Sequence, residues 1–409
     1  MRLNHFVFRD GDQLVNLTTK TSLPLASSIS EFKSGLFLEG QEEACVGHRL
    51  FGQSPSTFTI NVIPTWECNL RCGHCFVLHE LRKKDPGRVD SSLLSDFVSR
   101  LFKSYPDMRS GQIHFVGGEP TLRSTENLEL MARVRESVGD KKIIFTATSN
   151  AFDCDDKALE FLSSLDSLIV SIDGSKDCHD AQRKPLDRRD LSPFDDSLRT
   201  IRRLVAAGRR DSLTVQASLP EESMNMENLV DMYKHLLMSG VKYEKIIVGF
   251  VAPTRQRPNP DGDFLRVVTR AAHVKPCCKY RLMSNFVVDT SNRVFCDYFD
   301  VNSDNLLGDL SDPIESIAAA HERVIRSTMP VLNDPKCAKC PVIGLCWGWC
   351  ANTKCLKPSD HCDPDTLLKR VRQNAEKGNL RNFLKNTKDN DLSDEGNQAR
   401  KCCGGDSCR

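Results

Sequence analysis

Residues 66–76 read Trp66-Glu67-Cys68-Asn69-Leu70-Arg71-Cys72-Gly73-His74-Cys75-Phe76. The three cysteines are spaced C-x3-C-x2-C, whereas structural zinc sites usually take four protein ligands from paired knuckles. Three thiolates on one short loop can instead bind three irons of a [4Fe–4S] cube and leave the fourth iron without a protein ligand. From the spacing alone two alternatives stay open: three buried structural cysteines, or a zinc site that takes a fourth ligand such as His74.

The composition restricts the class of protein. The chain has 409 residues, of which 39% are hydrophobic and 27% charged, with a formal net charge of +1. This charge balance argues against a dedicated nucleic-acid binder, and no apolar run approaches the ~20 residues that a membrane helix needs. The 18 cysteines occur without an export signal at Met1–Asp12. We therefore expect a cytoplasmic protein whose cysteines bind metal more often than they form disulfides.

From Phe58 onward, short apolar segments alternate with amphipathic segments. The pattern predicts strands at 58–62, 112–116, 143–148, 168–172, 213–219 and 245–251, with a helical pattern after each of the first five. Strand–helix units in succession predict a parallel sheet with right-handed crossovers. Six strands rather than eight indicate an α/β fold of the partial (β/α)6 TIM-like barrel type, open on one side.

The loops at the carboxyl ends of these strands carry the candidate site residues. The cysteine loop Cys68–Cys75 follows the first strand, Gly117-Gly118-Glu119-Pro120 the second, Ser149-Asn150 the third and Asp173-Gly174 the fourth. In parallel α/β barrels these loops meet at one rim, where the reacting groups lie. The sequence therefore predicts one site built from four separate loops.

The cysteine loop and the Gly117–Pro120 loop resemble those of radical SAM enzymes. The resemblance implies that Cys68, Cys72 and Cys75 bind a [4Fe–4S] cluster whose open iron chelates S-adenosylmethionine. One electron would then cleave this cofactor to a 5′-deoxyadenosyl radical, which abstracts a hydrogen from the substrate. A flavodoxin- or ferredoxin-type protein is the expected electron donor.

The same resemblance assigns cofactor contacts by position. Gly117 and Gly118, with Pro120 after them, would let backbone approach the methionyl end of the cofactor. Glu119 would accept a hydrogen bond from its ammonium group. Ser149, Asn150 and Asp173 match the polar groups placed near the ribose and carboxylate, and Arg183 resembles the arginine that pairs with the carboxylate.

A second set of cysteines lies nearer the C-terminus. Its core is Cys337-x2-Cys340-x5-Cys346-x3-Cys350, preceded by Cys277, Cys278 and Cys296 and followed by Cys355 and Cys362. A zinc ribbon needs only four ligands, so the surplus fits two further iron–sulfur clusters.

This pattern resembles the SPASM extension of radical SAM enzymes that modify peptides and proteins. The resemblance implies one auxiliary [4Fe–4S] cluster on Cys337, Cys340, Cys346 and Cys362. It implies another on Cys278, Cys296 and Cys350, with Cys277 or Cys355 as the fourth ligand. Five residues before Cys296, where the extension usually has glycine, this chain has Ser291.

Asp297 directly follows Cys296, and this stretch resembles the anaerobic sulfatase-maturing branch, in which an aspartate at that position deprotonates the substrate. The resemblance makes Asp297 a candidate catalytic base, because a carboxylate beside a cluster can have its proton affinity tuned. A solvated loop aspartate is the alternative.

The expected domains are a hairpin appendage at 1–57, the radical SAM partial barrel at 58–265, the SPASM auxiliary-cluster domain at 266–370 and a polar, disordered tail with three cysteines at 371–409. The expected activity is the oxidative modification of a peptide or protein. The alternatives are a radical SAM dehydrogenase of a small molecule and a non-catalytic iron–sulfur electron carrier. A carrier would not need the Gly117–Pro120 loop beside the cysteines.

Overall fold

The computed structural model describes residues 2–52, 54–75, 77, 81, 85–188, 190–219, 223–250, 282–298, 301–328, 337, 339–341 and 364–380. These residues divide into two compact units. Of the described residues, those in 2–55, 282–283 and 318–380 belong to one unit, and those in 56–250 and 284–317 belong to the other. Within the described part of the chain, no helix is long and apolar enough to span a membrane.

The first unit begins with an antiparallel sheet. Its strands are β1 (Val7–Asp10), β2 (Gln13–Asn16) and β3 (Thr21–Pro24), in the order β1-β2-β3. The turn between β1 and β2 contains Gly11 at φ +65°, as the Asp-Gly pair predicts. Helices Ile29–Ser34 and Glu42–Phe51 follow. The hairpin is thus confirmed, whereas β3 was not predicted.

The N-terminal segment shares its core with residues from far along the chain. Val15 and Leu17 form one buried cluster with Val371 and Leu380. Val371 lies in the helix Pro364–Glu376, so the boundary expected between residues 370 and 371 falls inside a helix. This helix has one apolar face among its polar residues, and that face packs on the hairpin, while the domain boundaries stay predictions.

The second unit contains a nine-stranded sheet. In chain order the described strands of the whole unit, including two outside this sheet, are β4 (Thr57–Val62), β5 (Leu70–Cys72), β6 (Ser110–Phe115), β7 (Lys142–Ser149), β8 (Ser167–Ser171), β9 (Arg183–Pro185), β10 (Leu213–Leu219), β11 (Ile246–Phe250), β12 (Asn285–Val288), β13 (Arg293–Phe295) and β14 (Leu306–Asp309). The large sheet has the order β11-β10-β8-β7-β6-β4-β12-β13-β14, and β5 pairs separately with β9. Its two edges do not pair with each other among the described strands.

The six predicted strands are confirmed as one parallel sheet in sequence order. The helices of this part are Ser91–Ser104, Ser124–Val138, Asp156–Ser164, Lys176–Gln182, Pro193–Ala206 and Met226–Met238, and Ile314–Thr328 follows β14. Three strands of the large sheet were not predicted: β12 adds to β4 in parallel, and β13 and β14 continue the sheet in antiparallel pairs.

Local sequence explains where the helices begin. Asp90 caps the first crossover helix, because its Oδ1 accepts hydrogen bonds from the backbone N–H groups of Ser92 and Leu93 at 2.8 and 3.0 Å. Buried apolar residues of this helix recur every three or four positions and pack on the sheet, with Phe97 edge-on to Phe286 of β12. The loops at the carboxyl ends of the parallel strands lie together at one edge of this sheet.

Candidate functional site

Backbone hydrogen bonds join the cysteine loop to the Gly117–Pro120 loop. Gly118 N donates to Thr65 O at 3.0 Å, and Glu119 N donates to Glu67 O at 2.7 Å. The loop after β7 joins them through Asn69, which accepts from Asn150 Nδ2 and donates to Phe152 O, both at 2.8 Å. The structure therefore brings the loops after β4, β6 and β7 together, as the sequence predicts.

The cysteine loop is held by a strand of its own. Within it, β5 pairs antiparallel with β9, and Cys72 lies opposite Arg183. Gly73 N donates to Gln182 O at 2.9 Å, and Cys75 N donates to Cys72 O at 3.2 Å. Burial raises the pKa of all three thiols, that of Cys75 to about 11. Neutral thiols are thus favoured until a cation is bound, as is usual for metal ligands.

The Cys68–Cys75 loop supplies three thiols that lie near one another. Among the described residues, no three His, Cys, Asp or Glu side chains converge so that they could hold one metal ion. A [4Fe–4S] cube presents a separate iron to each sulfur, so its ligands need not converge on one point. The Cys68, Cys72 and Cys75 thiols still lie close enough for the charges of the other two to raise the pKa of Cys68. The residues present therefore fit a three-thiolate cluster.

His74, the fourth zinc ligand that the sequence left open, has its Nε2 3.4 Å from the Asp173 carboxylate. That carboxylate also accepts from Arg183 Nε at 2.6 Å and, through its other oxygen, from Ser218 N at 2.8 Å. Burial alone raises the pKa of Asp173, but the positive charge of Arg183, with a smaller contribution from His74, outweighs this effect and lowers the pKa to about 2. Asp173 is therefore ionised and neutralised by the chain itself.

Arg183 lies between this carboxylate and the cysteine loop. Its Nη1 is 3.9 Å from Cys72 Sγ, while its Nε bonds Asp173. Arg183 is thus paired with a carboxylate of this chain, and it lies next to a predicted cluster ligand. Its pairing with a cofactor carboxylate stays a prediction.

The two glycines of the Gly117–Pro120 loop are required by contact with the cysteine loop. A Cβ on Gly118 would lie 1.9 Å from Glu67 O, and one on Gly117 would lie 2.6 Å from Ile63 Cγ2. Gly117 also has φ +115°, a backbone conformation that residues with a side chain rarely adopt. These glycines set the spacing of the two loops. Their approach to the methionyl end of the cofactor stays a prediction.

Glu119 is buried and accepts four hydrogen bonds from the chain. Its Oε1 accepts from Thr121 N at 3.1 Å, Thr121 Oγ1 at 2.9 Å and Ser149 Oγ at 2.8 Å, and its Oε2 accepts from Asn150 N at 2.8 Å. Burial raises its pKa, and these bonds counteract that effect. A carboxylate has about four acceptor positions. The predicted contact with an ammonium group would therefore have to share a position already used.

Pro120 opens the short 3₁₀ helix Pro120–Arg123, for which Glu119 is the cap. Arg123 at its end reaches the segment that supports the cysteine loop: its Nη2 donates to Asp85 O at 2.9 Å. Asp85 in turn accepts from Trp66 N at 2.7 Å and donates from its own N to Glu67 Oε1 at 2.6 Å. No motif in the sequence pointed to Asp85 or Arg123.

The segment with Cys296 and Asp297 contacts the glycine loop through its next residue. Tyr298 Oη accepts a hydrogen bond from Gly117 N at 3.2 Å. Asp297 is buried, and Cys296 Sγ lies 3.6 Å from Asn305 O. This places the candidate base next to a residue that contacts the predicted cofactor loop.

The predicted auxiliary ligands are only partly described. Cys296, Cys337 and Cys340 are among the described residues. Cys277, Cys278, Cys346, Cys350, Cys355 and Cys362 lie outside them, as do the three cysteines of the tail. The two auxiliary ligand sets stay predictions.

Comparison with protein families identifies the part of the chain that carries the site. Residues 62–233, from β4 to the helix after β10, match the family model of the Radical SAM superfamily. This stretch is similar in sequence to radical SAM domains. The match includes the cysteine loop, the Gly117–Pro120 loop and Arg183. A search among curated proteins found no match for the chain.

The chain is similar in fold to several solved structures. Native anSMEcpe with bound AdoMet is 19% identical with a TM-score of 0.56, over 78% of this chain and 99% of that one. The structure of anSMEcpe with AdoMet and the Cp18Cys peptide is 18% identical with a TM-score of 0.56, over 80% and 99%. Streptococcus suis SuiB bound to S-adenosylmethionine is 13% identical with a TM-score of 0.54, over 88% and 98%. At these identities the likeness establishes the fold.

A polar row on one face of the large sheet was not predicted from the sequence. His114 of β6 bonds Thr146 Oγ1 at 2.7 Å and Thr148 Oγ1 at 3.2 Å, and Gln112 Nε2 donates to Thr146 Oγ1 at 2.8 Å. Burial lowers the pKa of His114 to about 4, so its imidazole is neutral near pH 7. Strands of a parallel sheet covered on both faces usually read as continuous apolar runs. The alternation in Gln112-Ile113-His114-Phe115 was the available signal.

Proposed function

We propose that this chain is an enzyme that reductively cleaves S-adenosylmethionine and oxidatively modifies a peptide or protein. The observation that carries the proposal is the direct hydrogen bonding of the Cys68–Cys75 loop to the Gly117–Pro120 loop inside the stretch that is similar to radical SAM domains. Radical SAM proteins pair a [4Fe–4S] cluster with S-adenosylmethionine, and the two loops bear the residues expected for each.

Each part of the site has a proposed task. Cys68, Cys72 and Cys75 would hold the cluster, and the residues from Gly117 to Pro120, with Ser149, Asn150, Asp173 and Arg183, would surround the cofactor. The chemistry that this pair supplies when bound is one-electron cleavage of the sulfonium to a 5′-deoxyadenosyl radical. The protein itself contributes a fixed loop geometry: β9 holds the cysteine loop, and Glu119 ties the loops after β6 and β7 together.

Asp297 is the proposed acceptor of the substrate proton. It is buried, and its neighbour Tyr298 bonds the glycine loop, so a substrate beside the cofactor loop would lie within reach of this segment. Loss of one hydrogen atom, one proton and one electron is a net two-electron oxidation. The auxiliary clusters proposed on the C-terminal cysteines would accept the remaining electron.

Structures of similar fold support a peptide as the substrate. The structures of similar fold include anSMEcpe with the Cp18Cys peptide and SuiB with the precursor peptide SuiA. A cytoplasmic location and a flavodoxin- or ferredoxin-type donor complete the proposal.

The first test is cofactor cleavage. The anaerobically reconstituted and reduced chain should release 5′-deoxyadenosine from S-adenosylmethionine, and Cys72→Ala should abolish the release. Cys178→Ala, which removes a partly buried thiol from the helix Lys176–Gln182, is the matched control and should keep it. Release by the Cys72 variant at the normal rate would reject the proposed role of the loop.

Metal content and product mass test the finer claims. Three cubes correspond to about twelve irons per chain, whereas a content of about four would reject the auxiliary clusters. Candidate peptides incubated with the reduced enzyme should lose mass in steps of two hydrogens. Cofactor cleavage without any such product, while a sugar alcohol is oxidised, would favour the small-molecule alternative.

A further inference from the structure

The helix Met226–Met238 has two apolar faces. One face is buried, with Met232 and Leu236 fully covered. On the other, the side chains of Met226, Val230 and Leu237 are 73%, 58% and 46% exposed. The half-buried Tyr233 lies between Val230 and Leu237 on this second face and stacks at 5.4 Å between ring centroids on Tyr243, which is 68% exposed. We call Met226, Val230, Tyr233 and Leu237 the outer stripe.

The outer stripe has a palindromic spacing. Its members lie at i, i+4, i+7 and i+11, so the intervals are four, three and four residues. These intervals keep all four side chains on one face of an α-helix. If a second copy of the helix is laid antiparallel across the first, Met226 meets Leu237 of the second copy and Val230 meets its Tyr233. A two-fold axis requires a self-complementary patch of this kind.

The charges beside the stripe are self-complementary as well. Glu227 and Lys234 are exposed on the same flank of the stripe, and neither forms an ion pair with another described residue. They are seven residues apart, which is about 10.5 Å along the helix axis, too far for a direct bond within one copy. Antiparallel pairing brings Glu227 of each copy close to Lys234 of the other, so that two ion pairs form.

We propose that the outer stripe is the two-fold interface of a homodimer in which two copies of Met226–Met238 pack antiparallel. The patch is smaller than a standard interface of about 20–30 residues a side, so the dimer should be weak and reversible. The interface lies on a crossover helix after the loops of the candidate site, and the proposal does not depend on the reaction.

Sedimentation velocity on the full, anaerobically purified chain tests the dimer. Between about 1 and 200 µM the average mass should rise from one copy toward two. Leu237→Glu buries a charge against Met226 of the second copy and should weaken association at least tenfold. Glu136→Lys, on the exposed side of the helix Ser124–Val138, is the control and should associate as the unmodified chain does.

Charge exchange then tests the antiparallel arrangement. Glu227→Lys and Lys234→Glu should each weaken the dimer about tenfold, because each turns two attractive pairs into like-charge pairs. The double variant restores opposite charges and should regain most of the affinity. The proposal is overturned if the chain stays a monomer throughout, if Leu237→Glu associates normally, or if the double variant is as weak as the single ones.

Discussion

Arg183 donates from Nε to Asp173 Oδ2 at 2.6 Å, and both side chains are buried. Arg183 is also the residue opposite Cys72 in the β5–β9 pair. The loop after β8 is therefore connected to the cysteine loop by a charged pair as well as by backbone hydrogen bonds. The position of Cys72 depends on this pair, although the two residues of the pair lie about a hundred positions after it.

Asp173→Asn should destabilise the chain strongly. The amide keeps the acceptor for Ser218 N but leaves the buried guanidinium of Arg183 without a counter-charge, which costs about 3–5 kcal/mol. Urea unfolding of the metal-free chain would measure the loss. Asp156→Asn breaks the exposed pair with Arg203 and serves as the control, with no expected shift of the midpoint. Equal shifts for the two variants would contradict the importance assigned to the buried pair.

His114→Gln should flatten the dependence of stability on pH. The folded chain holds the pKa of His114 at about 4, because the imidazole is buried. The unfolded chain has the ordinary value near 6.5, so between these values it binds a proton that the folded chain does not. Stability is therefore full above pH 6.5 and falls as the pH drops toward 4. Between pH 7 and pH 5 the unmodified chain should lose about 2 kcal/mol more than the variant.

Urea unfolding at those two pH values gives this difference directly. The glutamine amide of the variant can bond the hydroxyls of Thr146 and Thr148 without titrating, so the variant should fold. If both proteins lose the same stability between pH 7 and pH 5, His114 is not held in its neutral form by the fold.

Gly118→Ala should displace the cysteine loop. The added Cβ would meet Glu67 O, a backbone atom that cannot swing aside as a flexible side chain can. We expect a loss of about 1–3 kcal/mol in the free energy of unfolding and a lower iron content after reconstitution. Gly47→Ala makes the same chemical change in the helix Glu42–Phe51, where a Cβ meets nothing within 4 Å. This control should be neutral or slightly stabilising, since alanine favours a helix.

Asp297→Asn should separate cofactor cleavage from product formation. An amide cannot take up the substrate proton, so 5′-deoxyadenosine should still appear while the oxidised peptide does not. Asp304→Asn, at an exposed aspartate of the nearby Ser303–Asn305 turn, is the control and should support both. Normal product from the Asp297 variant would remove this residue from the proposed mechanism.

Local patterns were enough to predict the regular part of the fold. The six parallel strands are largely apolar and are separated by amphipathic helices. A single residue of a capping type, such as Asp90 or Asn225, marks where a helix begins. The loops of the site follow from the strands, because parallel strands end at one edge.

The missing elements are short or depend on distant partners. Strands β5 and β9 have three residues each, too few for an alternating pattern to be recognised. Strand β12 joins the parallel strands through β4, and Asn61 donates to Phe286 O across 225 positions of sequence. The pairing of Asp173 with Arg183 and His74 likewise arises from the fold, so no spacing along the chain predicts it.

The pairing of β5 with β9 also has a consequence for biosynthesis. Chains emerge from the ribosome with the N-terminus first, so Cys68, Cys72 and Cys75 are made well before Arg183–Pro185. Cys72 and Arg183 are 111 positions apart. Until Arg183–Pro185 has been made, the three thiols lie on a segment that lacks its partner strand, and they can bind other cations. Correct metal loading must therefore come late, which makes delivery after translation, rather than during it, the expected route.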